Sequence, residues 1–243
     1  MKLAIDRPVK IIVLGAGGTG GYVIPHLYRI AFASKRQVRI IICDGDIVED
    51  KNLVRQNFAE CDVGDNKAQL LAERYASVFG IETEFIPNFV EDERELRNLL
   101  YMPYNKFFTQ AVKPIPILIG AVDNNRSRIM CHHVFESMED LIYIDAGNGE
   151  YTGQVVCGMK QSGKVMNNPV AKLYPDILTD NEKFPTELSC AERSISAPQS
   201  IAANLFAATA ITSMLYYLLI EGELKNSKIT FTSRKLIMKP IAA

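Results

Sequence analysis

The chain has 243 residues, 48% hydrophobic and 23% charged, with 27 Lys and Arg against 28 Asp and Glu. That length suits one α/β domain, and so even a charge balance leaves no field to hold nucleic acid or anionic lipid. Five cysteines without a pairing pattern or a CxxC indicate a reducing, cytoplasmic setting, exclude a readable four-cysteine zinc site, and follow no signal peptide.

VKIIVL, residues 9–14, is short, branched and apolar on both faces, as a buried strand of a parallel sheet is. GAGGTGG follows, then a helical pattern from Tyr22 to Phe32 and a second strand, VRIIIC, over 38–43 that ends at Asp44. Residues 45–65 are polar and irregular. The pattern then predicts a helix from Asn66 to Phe79 stopped by Gly80, a third strand over Glu82–Val90 and a partly helical stretch over 91–112. A fourth strand, Pro116–Val122, ends at Asp123. A helix over Asn125–Met138 and strands over Leu141–Asp145 and Gln154–Met159 follow.

Residues 160–188 contain Pro169, Pro175 and Pro185 and little periodicity, and are expected to form a long, flexible crossover loop. A long helix is expected to start near Ser196-Ala197-Pro198, and residues 228–239 to form a last strand. Within that helix, residues 201–220 carry no charge and reach the length of a membrane span. Asn204, Thr209, Thr212 and Ser213 temper its apolarity and no basic anchor precedes it, so it reads as a buried core or dimer-interface helix. The whole, 1–243, is one doubly wound, Rossmann-like α/β domain with a mostly parallel sheet, which binds ligands at the carboxyl ends of its strands.

Gly15, Gly17 and Gly20 form GxGxxG directly after the first strand. Glycine there permits the tight turn, the close approach of a phosphate and the packing of helix on strand. Asp44 suits ribose hydroxyls. These residues fit NAD and ATP alike. The next stretch, DGDIVEDKNLVRQNF at 44–58, is less ambiguous. Arg55 and Lys67 add two cations on the phosphate side, more than a diphosphate needs and appropriate to a triphosphate. Asp123 offers a hard oxygen to magnesium. The plainer alternatives are solvated charges at Arg55 and Lys67, and a helix cap at Asp123.

GAGGTGG, DGDxVxxxNLxRQ, the lysine after it and the strand-end DNxxxR together resemble the ThiF/MoeB family, bacterial relatives of ubiquitin-activating enzymes, over roughly residues 9–220. The resemblance implies ATP- and magnesium-dependent adenylation of the C-terminal glycine of a small ubiquitin-like or sulfur-carrier protein, with release of pyrophosphate. It implies that Gly15, Gly17, Gly18 and Gly20 cradle the nucleotide and that Asp44 binds its ribose. Asp46, Asn52, Arg55, Gln56, Lys67 and Asn124 would line the ATP site, and Asp123 would coordinate magnesium. Cys190, upstream of the last long helix and beside Arg193, stands where some members carry an acceptor cysteine; the alternative is an unreactive loop thiol.

Three features depart from the family pattern. An N-terminal helix bringing an arginine to a partner subunit's site is not expected, Arg7 being a poor substitute; CxxC pairs are missing, so no structural zinc is expected, and Lys51 stands where serine is common. A reduced branch of the family, a catalytically weak dimeric scaffold and an NAD-dependent oxidoreductase are the readings to separate. The uncharged helix also predicts a homodimer.

Overall fold

The computed structural model describes residues 2–4, 6–101, 113–188 and 199–241. Its centre is a set of five parallel strands, β1 (Val9–Leu14), β2 (Val38–Cys43), β3 (Glu82–Ile86), β4 (Ile115–Gly120) and β5 (Leu141–Asn148), in the order β3-β2-β1-β4-β5. An antiparallel wing extends the same sheet beyond β5. It comprises β6 (Thr152–Gln161), β7 (Lys164–Asn167), β8 (Lys228–Thr232) and β9 (Ile237–Pro240).

Strand alternation distributes the apolar side chains to two cores. Ile11 and Val13 of β1 enter one, beneath α1 (Gly20–Ser34), α2 (Lys67–Phe79) and α6 (Ile201–Tyr216); Ile12 and Leu14 enter the other, beneath α3 (Glu93–Leu100) and α4 (Asn125–Ser137). Every residue of β1 and β4 is therefore buried. α2 starts at the Asn66 side chain, which accepts from Gln69 N–H, and stops at Gly80, whose φ of 64° is left-handed.

Several expected boundaries move. The third strand ends at Ile86 and not at Val90, because Pro87 has no N–H to continue the ladder. The fourth ends at Gly120, so Asp123 lies in the following turn. The fifth runs on to Asn148 and turns back as the antiparallel β6. The last strand is a hairpin of β8 and β9.

The expected crossover loop over 160–188 is a correction. Those residues form the end of β6, all of β7, a short helix α5 (Val170–Leu173) and 3-10 turns over Pro175–Thr179 and Pro185–Glu187. Val170, Ala171, Ile177 and Phe184 are buried, so the prolines punctuate a packed layer.

The expected helix start at 196–198 lies outside the described residues. Within them α6 is capped by Ser200, whose hydroxyl accepts from Ala203 N–H, and it ends in a π-helical turn over Tyr217–Glu221 closed by Gly222. Ile201–Glu221 is, among the described residues, the one helix long and apolar enough to cross a membrane. It packs on α1, β5 and β6 through Ala203, Ala207, Ala210 and Ile211. The burial expected of it holds for one stripe only: Ile201, Leu205, Tyr216 and Tyr217 are exposed.

Candidate functional site

The chain leaves β1 toward β2 and leaves β4 toward β5, so the strand order reverses between these two neighbours and a crevice opens at their carboxyl ends. The glycine loop occupies one lip. Gly15 has φ 91°, and a Cβ there would stand 2.6 Å from the Ala121 carbonyl oxygen on the other lip. A Cβ at Gly20 would overlap the Gly15 carbonyl, and one at Gly18 would overlap the Asn204 amide. Gly17 differs. A Cβ there would meet only the Gln56 side chain at 3.7 Å, ordinary contact. The protein leaves that space open, and a ligand pressed on the backbone is the physical reason to keep it so.

Asp44 sits beneath this loop. Its Oδ2 accepts from Ala16 N–H at 2.6 Å and its Oδ1 from Asp46 N–H at 2.8 Å. It therefore ties the glycine loop to the end of β2, besides offering its outer lone pairs to a hydroxyl. Burial pushes its pKa up to about 6, against the opposing pull of Lys67.

Lys67 is not the solvated charge of the plainer reading. Its side chain is 4% exposed and its Nζ lies 3.0 Å from Asp46 Oδ2. The Asn66 amide donates to the carbonyls of Asp44 and Asp46, so α2 and the segment after β2 are stitched together. Asn52 is buried, and its Oδ1 accepts from Glu49 N–H at 2.9 Å, which commits it to shaping its own turn. Gln56 is buried beneath Gly17, and its Oε1 has no partner among the described residues. Arg55 reaches across to Gln199, Nη1 to Oε1 at 3.1 Å, just ahead of α6.

On the β4 side the helix cap expected as an alternative for Asp123 is Asn124, whose Oδ1 accepts from Ser127 N–H at 2.7 Å. Asn124 thereby spends its carbonyl oxygen on the fold, while Asp123 is exposed at the mouth of a groove of about 620 Å³. Asn125, Asn148, Gln154, Asp176 and Gln199 also line this groove, which runs over the ends of β4, β5 and β6. Its floor is a buried network that sequence reasoning missed. Arg128 Nε lies 3.2 Å from Asp145 Oδ1; its Nη2 donates to the carbonyls of Val122 and Ala146, and Tyr143 donates to Asp145 Oδ2 at 2.8 Å. Burial alone would lower the Arg128 pKa, but Asp145 more than offsets it and holds the guanidinium charged. The network fixes the turn that carries Asp123 to the end of β5. Its only sequence signal was Arg128 in DNxxxR, with Tyr143 and Asp145 two residues apart on one strand face.

The cysteines divide by burial. Cys43, Cys131 and Cys157 are buried in the sheet and α4, and burial raises all three thiols, the last two to about 12, which keeps them unreactive. Cys61 is exposed, and Cys190 lies outside the described residues. Among the described residues no group of three or more His, Cys, Asp or Glu could hold a metal. His26, His132 and His133 lie on α1 and α4.

The sequence profile of the ThiF family matches residues 6–242. The chain belongs to the ThiF family. Solved structures share the fold: PaaA superposes with a TM-score of 0.64 at 16% identity, over 95% of this chain and 62% of that one. E. coli MccB with ATP gives 0.62 at 18% identity, again over 95% and 62%, and E. coli MccB with MccA gives 0.63 at 19% identity over the same shares. This chain thus spans about 62% of the length of these ThiF-like neighbours. None of the curated proteins compared matches it.

Proposed function

We propose that this chain adenylates the C-terminal glycine carboxylate of a small ubiquitin-like or sulfur-carrier protein, using ATP and magnesium and releasing pyrophosphate. The observation that carries the reading is the pairing of two halves at one strand reversal. An open backbone cradle at Gly17, flanked by buried Asp44 and Lys67, adjoins a groove whose mouth holds Asp123.

In this reading the glycine loop and the start of α1 take the phosphates, and Asp44 takes the ribose with the lone pairs its two N–H partners leave free. Lys67 and Arg55 hold positive charge at fixed places, which offsets repulsion between an incoming carboxylate and the phosphates. The carboxylate oxygen bonds to the α-phosphorus, and the bond from that phosphorus to the β-bridging oxygen breaks. A C-terminal carboxylate is already ionised at neutral pH, so no side chain needs to act as base. One exposed carboxylate at the phosphate end suits magnesium, which takes one or two carboxylates alongside phosphate oxygens and would there neutralise developing charge. The groove along β5 and β6, about 620 Å³ and lined by polar side chains such as Asn148, Gln154 and Gln199, is where an extended tail would lie. An NAD-dependent oxidoreductase would leave the buried Lys67 and the groove without roles.

The test is ATP–pyrophosphate exchange in the presence of a carrier protein ending in glycine. Asp123→Ala is expected to abolish exchange while leaving the melting temperature unchanged, because Asp123 is exposed; exchange persisting in that variant would refute its role. A second copy of the chain is proposed to cover the exposed Ile201, Leu205, Tyr216 and Tyr217 face of α6 and its π-turn. Light scattering at micromolar concentration should then give twice the chain mass, and a monomer mass would contradict it.

A further inference from the structure

Asn204 is fully buried on the most apolar helix among the described residues, a position that ordinarily takes an alanine or leucine. Its Oδ1 accepts from Asn148 Nδ2 at 3.0 Å, and Asn148 Oδ1 accepts from Thr19 Oγ1 at 3.3 Å. Three side chains, from α6, from the end of β5 and from the glycine loop, thus form one directed chain of hydrogen bonds. Its direction leaves the Asn204 amide N–H groups at the end, against Gly18, with no acceptor among the described residues. Buried donors are rarely left so. Thr19 also stands at the cap position of α1, where a threonine ordinarily accepts from the first turn; here it makes no such bond and its hydroxyl is spent on Asn148. Asn148 in turn lines the groove.

We propose that Asn204 is a positioning residue for the glycine loop: the chain Thr19–Asn148–Asn204 clamps the loop at Gly18, sets a donor behind its phosphate-binding face and ties it to the groove wall. The clamp explains why position 18 must be glycine, since any Cβ there would overlap the Asn204 amide. A donor behind the loop favours an anion in front of it; an acceptor there would oppose one. Which ligand the loop takes rests on the adenylation reading, but the clamp itself does not.

A double-mutant cycle with binding measurements tests it. Gly18→Ala, Asn204→Ala, the double variant, Asn204→Asp and Thr19→Val are compared by the melting temperature without ligand and by calorimetric titration with magnesium-ATP. Gly18→Ala should melt several degrees lower in the wild-type background, and Asn204→Ala should recover at least half of that loss. Asn204→Asp keeps the acceptor for Asn148 but replaces the donor, and should weaken magnesium-ATP roughly tenfold. Thr19→Val, near-isosteric, should weaken it less and leave the fold intact. Additive melting shifts, or Asn204→Asp binding as tightly as wild type, would overturn the proposal. A wild type that binds no adenine nucleotide would sink the adenylation reading, whereas the melting cycle would still decide the clamp.

Discussion

The parallel half of the sheet and its antiparallel wing are built to different rules. β1 and β4 are buried at every position, so apart from Lys10 their sequences are apolar runs whose ends coincide with the structural ends or nearly so. β7 and β9 are mostly exposed; β7 falls in the loop expected over 160–188, and β9 in the single strand expected over 228–239. The two halves also divide the site. The parallel half supplies the glycine loop, Asp44 and Lys67; the wing and the 160–188 layer supply much of the groove. A doubly covered scaffold thus carries the nucleotide side of the proposed site, and a more exposed one borders the surface where a tail would lie.

The largest effect should come from Gly20→Ala, because the obstacle is backbone at Gly15 and cannot swing away. A loss of about 4 kcal/mol or more is expected, seen as a collapse of the denaturant midpoint. Gly17→Ala, three residues earlier, should leave that midpoint unchanged and weaken magnesium-ATP alone; equal destabilisation by both would erase the distinction between scaffold glycine and cradle glycine.

Arg128→Ala comes next. It leaves Asp145 buried without its ion partner and should cost about 3–5 kcal/mol in chemical denaturation. A near-neutral result would show that the turn bearing Asp123 is held by something else.

A smaller effect concerns pH. Asp44 has a folded pKa of about 6 against an ordinary 3.8. The folded state therefore binds the extra proton between those values, and stability falls as pH rises from about 4 to about 6, by about 3 kcal/mol at most. Asp44→Asn should flatten that part of the stability–pH curve, and an unchanged slope would contradict the assignment. Smallest is Leu236→Gly in the wing, where φ is 52° and the side chain is exposed. Relief of left-handed strain should stabilise by about 0.5–1 kcal/mol, measured by the same denaturation, and a loss there would show that the wing tolerates no such change.

How legible each part was follows from these differences. β1, β2, β4 and β5 could be read because burial at nearly every position forces a largely apolar composition; β3, at the sheet edge, is partly exposed. The glycine loop, Asp44 and Lys67 were legible for a related reason: they lie within one stretch whose spacing is set by a single βαβ unit and the helix after it. The third strand overran because Val90 is apolar and buried yet follows Pro87, which ends the ladder. The Arg128–Asp145–Tyr143 network depends on how α4 packs against β5, and the Thr19–Asn148–Asn204 chain joins residues far apart in sequence. The second has no local pattern, and the first only Arg128 in DNxxxR and the alternation of Tyr143 and Asp145. The packed layer at 160–188 was hidden by its prolines, which signal turns whether or not the turns are buried.

In the proposed function the crevice at the strand reversal binds ATP. The most direct measurement is the melting temperature of the whole chain with magnesium-ATP, with NAD and without ligand. Magnesium-ATP at 100 times its dissociation constant should add roughly 2.7 kcal/mol, a rise of roughly 5–10 °C for a chain of this size, with no rise from NAD. A rise with NAD alone would contradict the account.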